Sequence, residues 1–129
     1  NKFNNTIIMD VAHNPAAIKH LVNKINQQGY VNLAVVFNFC QDKDYLACLQ
    51  YLKPIISNWY CLDLMNARLL DAIELKDSIK HIGCIESDIQ IIKQQSISEL
   101  FINSEDRVFL VCGSFLVVDA VCSELAIAP

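Results

Sequence analysis

Glycine and proline are scarce in this sequence, three of each in 129 residues. The glycines, Gly29, Gly83 and Gly113, stand too far apart to build the Gly-x-x-x-x-Gly-Lys-Ser/Thr loop that cradles a triphosphate. No basic run or stripe occurs and the net charge is −4, which argues against nucleic acid as a partner. The longest apolar runs, such as Val108-Phe109-Leu110-Val111-Cys112, are too short to cross a bilayer, so no membrane partner is expected. No signal peptide opens the chain. Its first residue is Asn1 rather than Met, which leads to the expectation of a piece of a longer protein. Six cysteines are present, at 40, 48, 61, 84, 112 and 122, without a Cys-x-x-Cys pair. No His/Cys cluster has zinc spacing, and no metal site is expected in this chain.

Apolar residues, by contrast, make up 53% of the chain, far more than a disordered segment carries. The length suits one compact domain over residues 1–129, with a core of its own. The scattered cysteines read as reduced thiols that pack as small apolar residues in a cytoplasmic protein.

Strand-like and helix-like stretches alternate. Thr6–Met9 is an apolar run long enough for a strand buried on both faces. Asn14 and Pro15 fit a helix start. Ile18, Leu21, Val22 and Ile25 recur at helical spacing, and Gly29 stops the helix. Asn32–Phe37 is a second strand. A helix with Leu46, Leu49 and Leu52 on one side runs to Pro54. Trp59–Leu64 is a third strand, followed by a helical stretch from Leu69 to Ile82. Ile89–Ile92 is a fourth strand. Ser96–Ile102 is a short helix in which Ser96 and Glu99 fit a capping box. Val108–Cys112 is the fifth strand, and Phe115–Ile127 the closing helix. A linker is read only in the first five residues. The pattern implies an α/β fold, a mostly parallel Rossmann-like sheet with helices on both faces. In such a sheet ligands sit at the carboxyl ends of the strands. That rule singles out the loops Asp10–Asn14, Phe39–Asp44, Leu64–Arg68 and Gly113–Phe115.

In the first loop, Asp10-Val11-Ala12-His13-Asn14-Pro15, a carboxylate leaves a strand and an imidazole precedes a helix N-terminus. Such a terminus favours anions, because its first amides are unpaired. The carboxylate suits ribose hydroxyls and the imidazole a phosphate. Equally, Asp10 and Asn14 can simply tie up loop amides.

This hexapeptide after an apolar strand resembles the folylpolyglutamate synthase family within the Mur ligase superfamily. Gln41-Asp42-Lys43-Asp44 is similar to the family's Asp-Lys-Asp loop. Val108 to Phe115 is similar to its last strand and Gly-Ser-Phe turn, and the Trp59-Tyr60 strand matches between them. The resemblance covers residues 5–125. It implies the C-terminal glutamate-ligase domain of a longer enzyme whose N-terminal ATP-binding phosphate-loop domain is not in this sequence. The implied reaction adds L-glutamate to dihydropteroate or folates. ATP and Mg2+ are implied as cofactors, with the metal ligands in the N-terminal domain. L-glutamate, a pterin or folate and that N-terminal domain are the implied partners. The fragment alone is expected to be inactive, and no residue in it is assigned a catalytic role with certainty. Another Mur-type amide ligase of peptidoglycan synthesis, or a non-catalytic nucleotide- or partner-binding module, are the alternatives.

By the same resemblance Asp10 and His13 match the nucleotide site. Lys43 stands where relatives place a basic residue near the incoming amino acid, and Ser114 matches the serine thought to contact glutamate. Read without the family, Lys43 is a solvated lysine and Ser114 a helix cap. Arg68 is the departure: relatives have Pro-Arg there, whereas Ala67 precedes it in this chain. The guanidinium fork still suits a carboxylate. His20 and His81 are read as surface or structural histidines.

Overall fold

Five strands alternate with five α-helices, and every strand pair is parallel. The structure, a computed structural model, describes residues 4–128. Its elements are β1 (Thr6–Met9), α1 (Pro15–Gln27), β2 (Leu33–Phe37), α2 (Tyr45–Leu52), β3 (Ile56–Asp63), α3 (Ala72–His81), β4 (Ile89–Lys93), α4 (Ile97–Ile102), β5 (Val108–Cys112) and α5 (Phe115–Leu125). The sheet order is β1-β5-β2-β3-β4. The path from β1 to β4 moves steadily across the sheet, and right-handed crossovers then put α1, α2 and α3 on one face. The return from β4 to β5 runs the other way and puts α4 on the opposite face, where α5 joins it.

Strand side chains divide accordingly. Leu33, Val35 and Phe37 of β2 point into the layer under α1–α3, with Trp59, Cys61, Leu110 and Cys112. Ala34 and Val36 point into the other layer, with Leu62, Phe109 and Val111. Since both its faces are covered, β2 is buried at every position, which is why it reads as an unbroken apolar run. In the second layer Phe101 of α4 stacks on Phe109 at 4.1 Å. A buried side chain of this kind contributes about 1.5–3 kcal/mol. Exposed ion pairs contribute about 0–1 kcal/mol, and each of the four pairs among the described residues, such as Lys93–Asp63, has a solvent-exposed partner. Apolar layering holds this sheet together.

Several expectations need correction. β1 is an edge strand, paired only with β5, and Ile7, Ile8 and Met9 are half-buried rather than covered on both faces. Leu46 is 47% exposed, and Cys48 takes its place in the core beside Leu49 and Leu52. α3 starts at Ala72 because Leu69 bridges Cys40 in antiparallel fashion and Asp71 caps the helix through Ile73 N. The Ser96 capping box does not form: a 3-10 turn over Gln94–Ser96 leads into α4, and the Ser96 side chain makes no cap bond. α5 ends at Leu125, where Ala126 takes a left-handed backbone, φ 54°. Of the expected linker, residues 1–3 lie outside the described residues. Asn4 and Asn5 are held: Asp106 N donates to Asn4 O, and Asn5 Nδ2 donates to Ser104 O at 2.6 Å.

Candidate functional site

The helices after β1 and β2 leave toward one face of the sheet, and the helix after β5 leaves toward the other. Chains that part in this way open a crevice at the carboxyl ends of β1, β5 and β2, where ligands of doubly wound sheets bind.

Close packing at the crevice floor depends on Gly113. Its φ is +103°, and a Cβ there would lie 2.1 Å from Asn38 O. Gly113 N also donates to Ala12 O at 3.0 Å, tying the β5 turn to the loop after β1. Asn38, 1% exposed, ties the other side. Its Nδ2 donates to Leu62 O and Leu70 O, both at 3.0 Å, and its Oδ1 accepts from Phe39 N at 2.7 Å. One buried amide thus joins the ends of β2 and β3 to the loop that carries Arg68. Nothing in the sequence marks Asn38 except a polar residue closing an apolar strand.

Above this floor lies a pocket of about 300 Å³ lined by His13, Lys43, Arg68, Ser114, Val11, Cys40 and Phe115. The three residues expected at an amino-acid site, from three separate loops, share it. Ser114 Oγ accepts from Leu116 N at 3.1 Å, so it caps α5, and Cys40 Sγ lies 3.9 Å away. Either the thiol or the hydroxyl is the donor in that contact. Among the described residues the one carboxylate paired with Lys43 is Asp42, at 4.0 Å, while Asp44 caps α2 through Ala47 N. Arg68 has no carboxylate partner among the described residues, and its guanidinium lies over the Phe115 ring at 5.7 Å. Two cations and the start of α5 therefore face one small cavity, an arrangement suited to an anion. Phe115, Gln41 and Cys40 were not singled out as site residues in the sequence.

His13 Nδ1 lies 3.0 Å from Val11 O and donates to it in the Nδ1–H tautomer, leaving Nε2 as an acceptor. The structure brings His13 to the cation pocket, not to Asp10. Asp10 lines a neighbouring cleft with Met9, Val11 and Val118. Asp10 Oδ1 accepts from Ala12 N at 2.8 Å and Asn14 Oδ1 from Ala17 N at 2.9 Å. The local capping role is thus real for both residues, and the second Asp10 oxygen has no partner among the described residues. Among those residues no three His, Cys, Asp or Glu gather as metal ligands. No helix among them is long and apolar enough to cross a membrane. Beneath the site, burial pushes the Cys112 thiol up, with the Asp10 carboxylate adding to the shift, so this thiol stays protonated. All six cysteines are free.

Residues 1–115 match the family model described as Mur ligase, glutamate ligase domain. The chain belongs to that family. A dihydrofolate synthase/folylpolyglutamate synthase of Escherichia coli (strain K12) is 35% identical to this ligase domain over 112 residues, 84% of the domain and 25% of the relative. Its namesake from Buchnera aphidicola subsp. Baizongia pistaciae is 29% identical over 118 residues, 90% of the domain and 27% of the relative. Helicobacter pylori folylpolyglutamate synthetase superposes with a TM-score of 0.79 at 28% identity, over 94% of the domain and 29% of that chain. The Yersinia pestis bifunctional folylpolyglutamate synthase/dihydrofolate synthase with AMPPNP and a Mn ion gives 0.76 at 27%, over 94% and 28%. This domain spans about a quarter of the length of the curated relatives it matches.

Proposed function

We propose that this chain is the C-terminal domain of an ATP-dependent ligase that adds L-glutamate to dihydropteroate or folates, and that its cation pocket receives the incoming glutamate. The observation that carries the reading is the convergence of Lys43, Arg68 and Ser114 on one pocket of about 300 Å³. Glutamate presents two carboxylates and an amine that must stay free. Lys43 and the fork of Arg68 hold the carboxylates, and the Ser114 hydroxyl orients the chain between them. The amine, once deprotonated, is left pointing out of the pocket toward the acyl phosphate that ATP makes on the acceptor substrate. Its attack forms the C–N bond through a tetrahedral intermediate, and phosphate leaves.

Asp10 and His13 are the residues we assign to the nucleotide. The second Asp10 oxygen accepts from ribose hydroxyls, and His13, beside the α1 N-terminus, meets a phosphate through an Nε2 that carries a proton. Support for a nucleotide comes from relatives solved with AMPPNP and a Mn ion, and with DHPP and ADP. By the family resemblance, metal and phosphate loop are assigned to an N-terminal domain of the longer protein. The relatives quoted above carry folate names, which favours folate over a peptidoglycan precursor.

The test is steady-state kinetics of the longer protein with ATP, L-glutamate and dihydropteroate or folate. Lys43→Met and Arg68→Met should each raise the glutamate KM about tenfold to a hundredfold, the worth of a lost charge-assisted bond, with a smaller effect on ATP. Unchanged glutamate use in both variants refutes the site. Ligation by the 129-residue chain alone refutes the division of labour.

A further inference from the structure

Arg68 sits at the third position of a tight turn over Asn66–Leu69. Leu69 N donates to Asn66 O at 3.1 Å, and Arg68 N to Asn66 Oδ1 at 2.9 Å. The second position of such a turn is the one proline favours, because its ring presets φ. Ala67 stands there instead, with no ring to stiffen the turn.

Gln41 supplies the missing restraint from outside. Its side-chain Nε2 donates to Ala67 O at 2.8 Å and to Leu69 O at 3.0 Å, and its backbone N donates to Arg68 O at 2.9 Å. Three consecutive carbonyls of the turn are therefore held by one residue. Phe39 O adds a fourth tie by accepting from Leu70 N at 2.9 Å. Gln41 itself does not line the cation pocket. The far end of Arg68 is held separately, by the Phe115 ring. With the backbone tied and the guanidinium resting over the ring, fewer arrangements of the fork remain to be ordered on binding.

Gln41 also couples the two cations. It is two residues before Lys43, in the turn closed by Lys43 N donating to Cys40 O at 3.1 Å. A shift of the Gln41 clamp would therefore change the spacing of Lys43 and Arg68, which must match the spacing of two carboxylates on one ligand.

We infer that Gln41 is a positioning residue for Arg68, doing for this turn what a proline at position 67 would do, and that glutamate affinity depends on it. The inference rests on the reading of Arg68 as a carboxylate ligand. The experiment uses the longer protein carrying Gln41→Ala, Ala67→Pro, both together, and Gln41→Ala in an Arg68→Met background. Gln41→Ala should raise the glutamate KM about three- to tenfold, the loss of one or two net hydrogen bonds. ATP KM and kcat should stay within about twofold. Ala67→Pro has no backbone donor bond to break at residue 67. Added to Gln41→Ala, it should bring the glutamate KM back to within about twofold of the parent. In the Arg68→Met background, Gln41→Ala should add nothing.

An unchanged glutamate KM in Gln41→Ala, while Arg68→Met raises it, overturns the inference and leaves the pocket reading standing. A rise that Ala67→Pro does not reverse, or one that persists in full without Arg68, overturns it too. If Arg68→Met itself leaves glutamate use intact, the pocket reading falls and the inference with it.

Discussion

Replacing Gly113 by alanine tests whether the site floor is built on backbone contact. The added Cβ would sit 2.1 Å from Asn38 O and 3.0 Å from Asn38 C, against about 3.3 Å for a tolerable carbon–oxygen approach. One of the two chains must retreat by more than about 1 Å, on that same approach distance. Asn38 cannot retreat cheaply, since its amide bonds Leu62 O, Leu70 O and Phe39 N at once. Two costs add. A side chain at φ +103° costs roughly 1–2 kcal/mol. Overpacking against backbone costs about 1–3 kcal/mol more. The total is about 2–5 kcal/mol, a large part of a domain's stability. Gly29→Ala is the matched control: φ is +81°, but nothing lies within 4 Å of the added carbon, so only the dihedral cost applies. Urea denaturation of the 129-residue chain and its two variants measures the difference. If the two substitutions cost the same within about 0.5 kcal/mol, the close approach of β5 to Asn38 contributes nothing and the argument fails.

In the longer protein, Asp10→Ala should weaken ATP use by roughly 1.5–3 kcal/mol and leave glutamate use nearly unchanged, because Asp10 faces a different cleft from the cation pocket; equal losses for both substrates in steady-state kinetics would reject that separation. Burial pushes the Cys61 thiol from 9.0 up to about 12. Above pH 9 the unfolded chain sheds this proton while the folded chain keeps it, so stability should fall by about 1.4 kcal/mol for each further pH unit up to about 12. Denaturation curves of parent and Cys61→Ala should diverge in slope above pH 9 and run parallel below it; parallel curves throughout would contradict the burial effect. Ala126→Gly should raise the denaturation midpoint and add about 1 kcal/mol, because φ 54° at this helix end suits glycine better than alanine, and a destabilised variant would count against the left-handed cap.

The sequence carried most of the architecture because each layer leaves a simple signature. β2 and β5 are apolar without interruption because both faces are covered, and α1 shows its buried stripe between a capping Asn14 and a helix-ending Gly29. Cap and turn residues at the strand ends were legible for the same local reason, Asn14 and Ser114 among them. What the chain does not write locally was missed. The start of α3 is set by the Cys40–Leu69 bridge, a contact between distant segments that overrides the helical composition of Leu69–Asp71. Ala126 ends α5 without the glycine that usually marks such an end. Leu46 has the right spacing for a core face, but its position at the start of α2 leaves it half exposed. At the site, Lys43, Arg68 and Ser114 were visible as polar residues at strand ends. The residues that position them, Asn38 and Gln41, act through hydrogen bonds to segments 24 to 32 residues away along the chain, which no local pattern encodes.

β5 is the last of the five described strands, yet it lies between β1 and β2, and among the described residues β1 has no other partner in the sheet. A nascent polypeptide can pair β2 with β3 and β3 with β4 as they emerge, but β1 must wait until Val108–Cys112 is made. The Thr6–Val108 pairing is among the longest-range contacts of the fold, and such contacts close slowly because so much chain must be ordered first. Asp10–Pro15 follows directly on β1, and Gly113–Ser114 directly on β5. The fifth strand thus completes both the sheet and the crevice, bringing Asp10–Pro15 and Ser114 to the Lys43 and Arg68 loops that Asn38 and Gln41 already join.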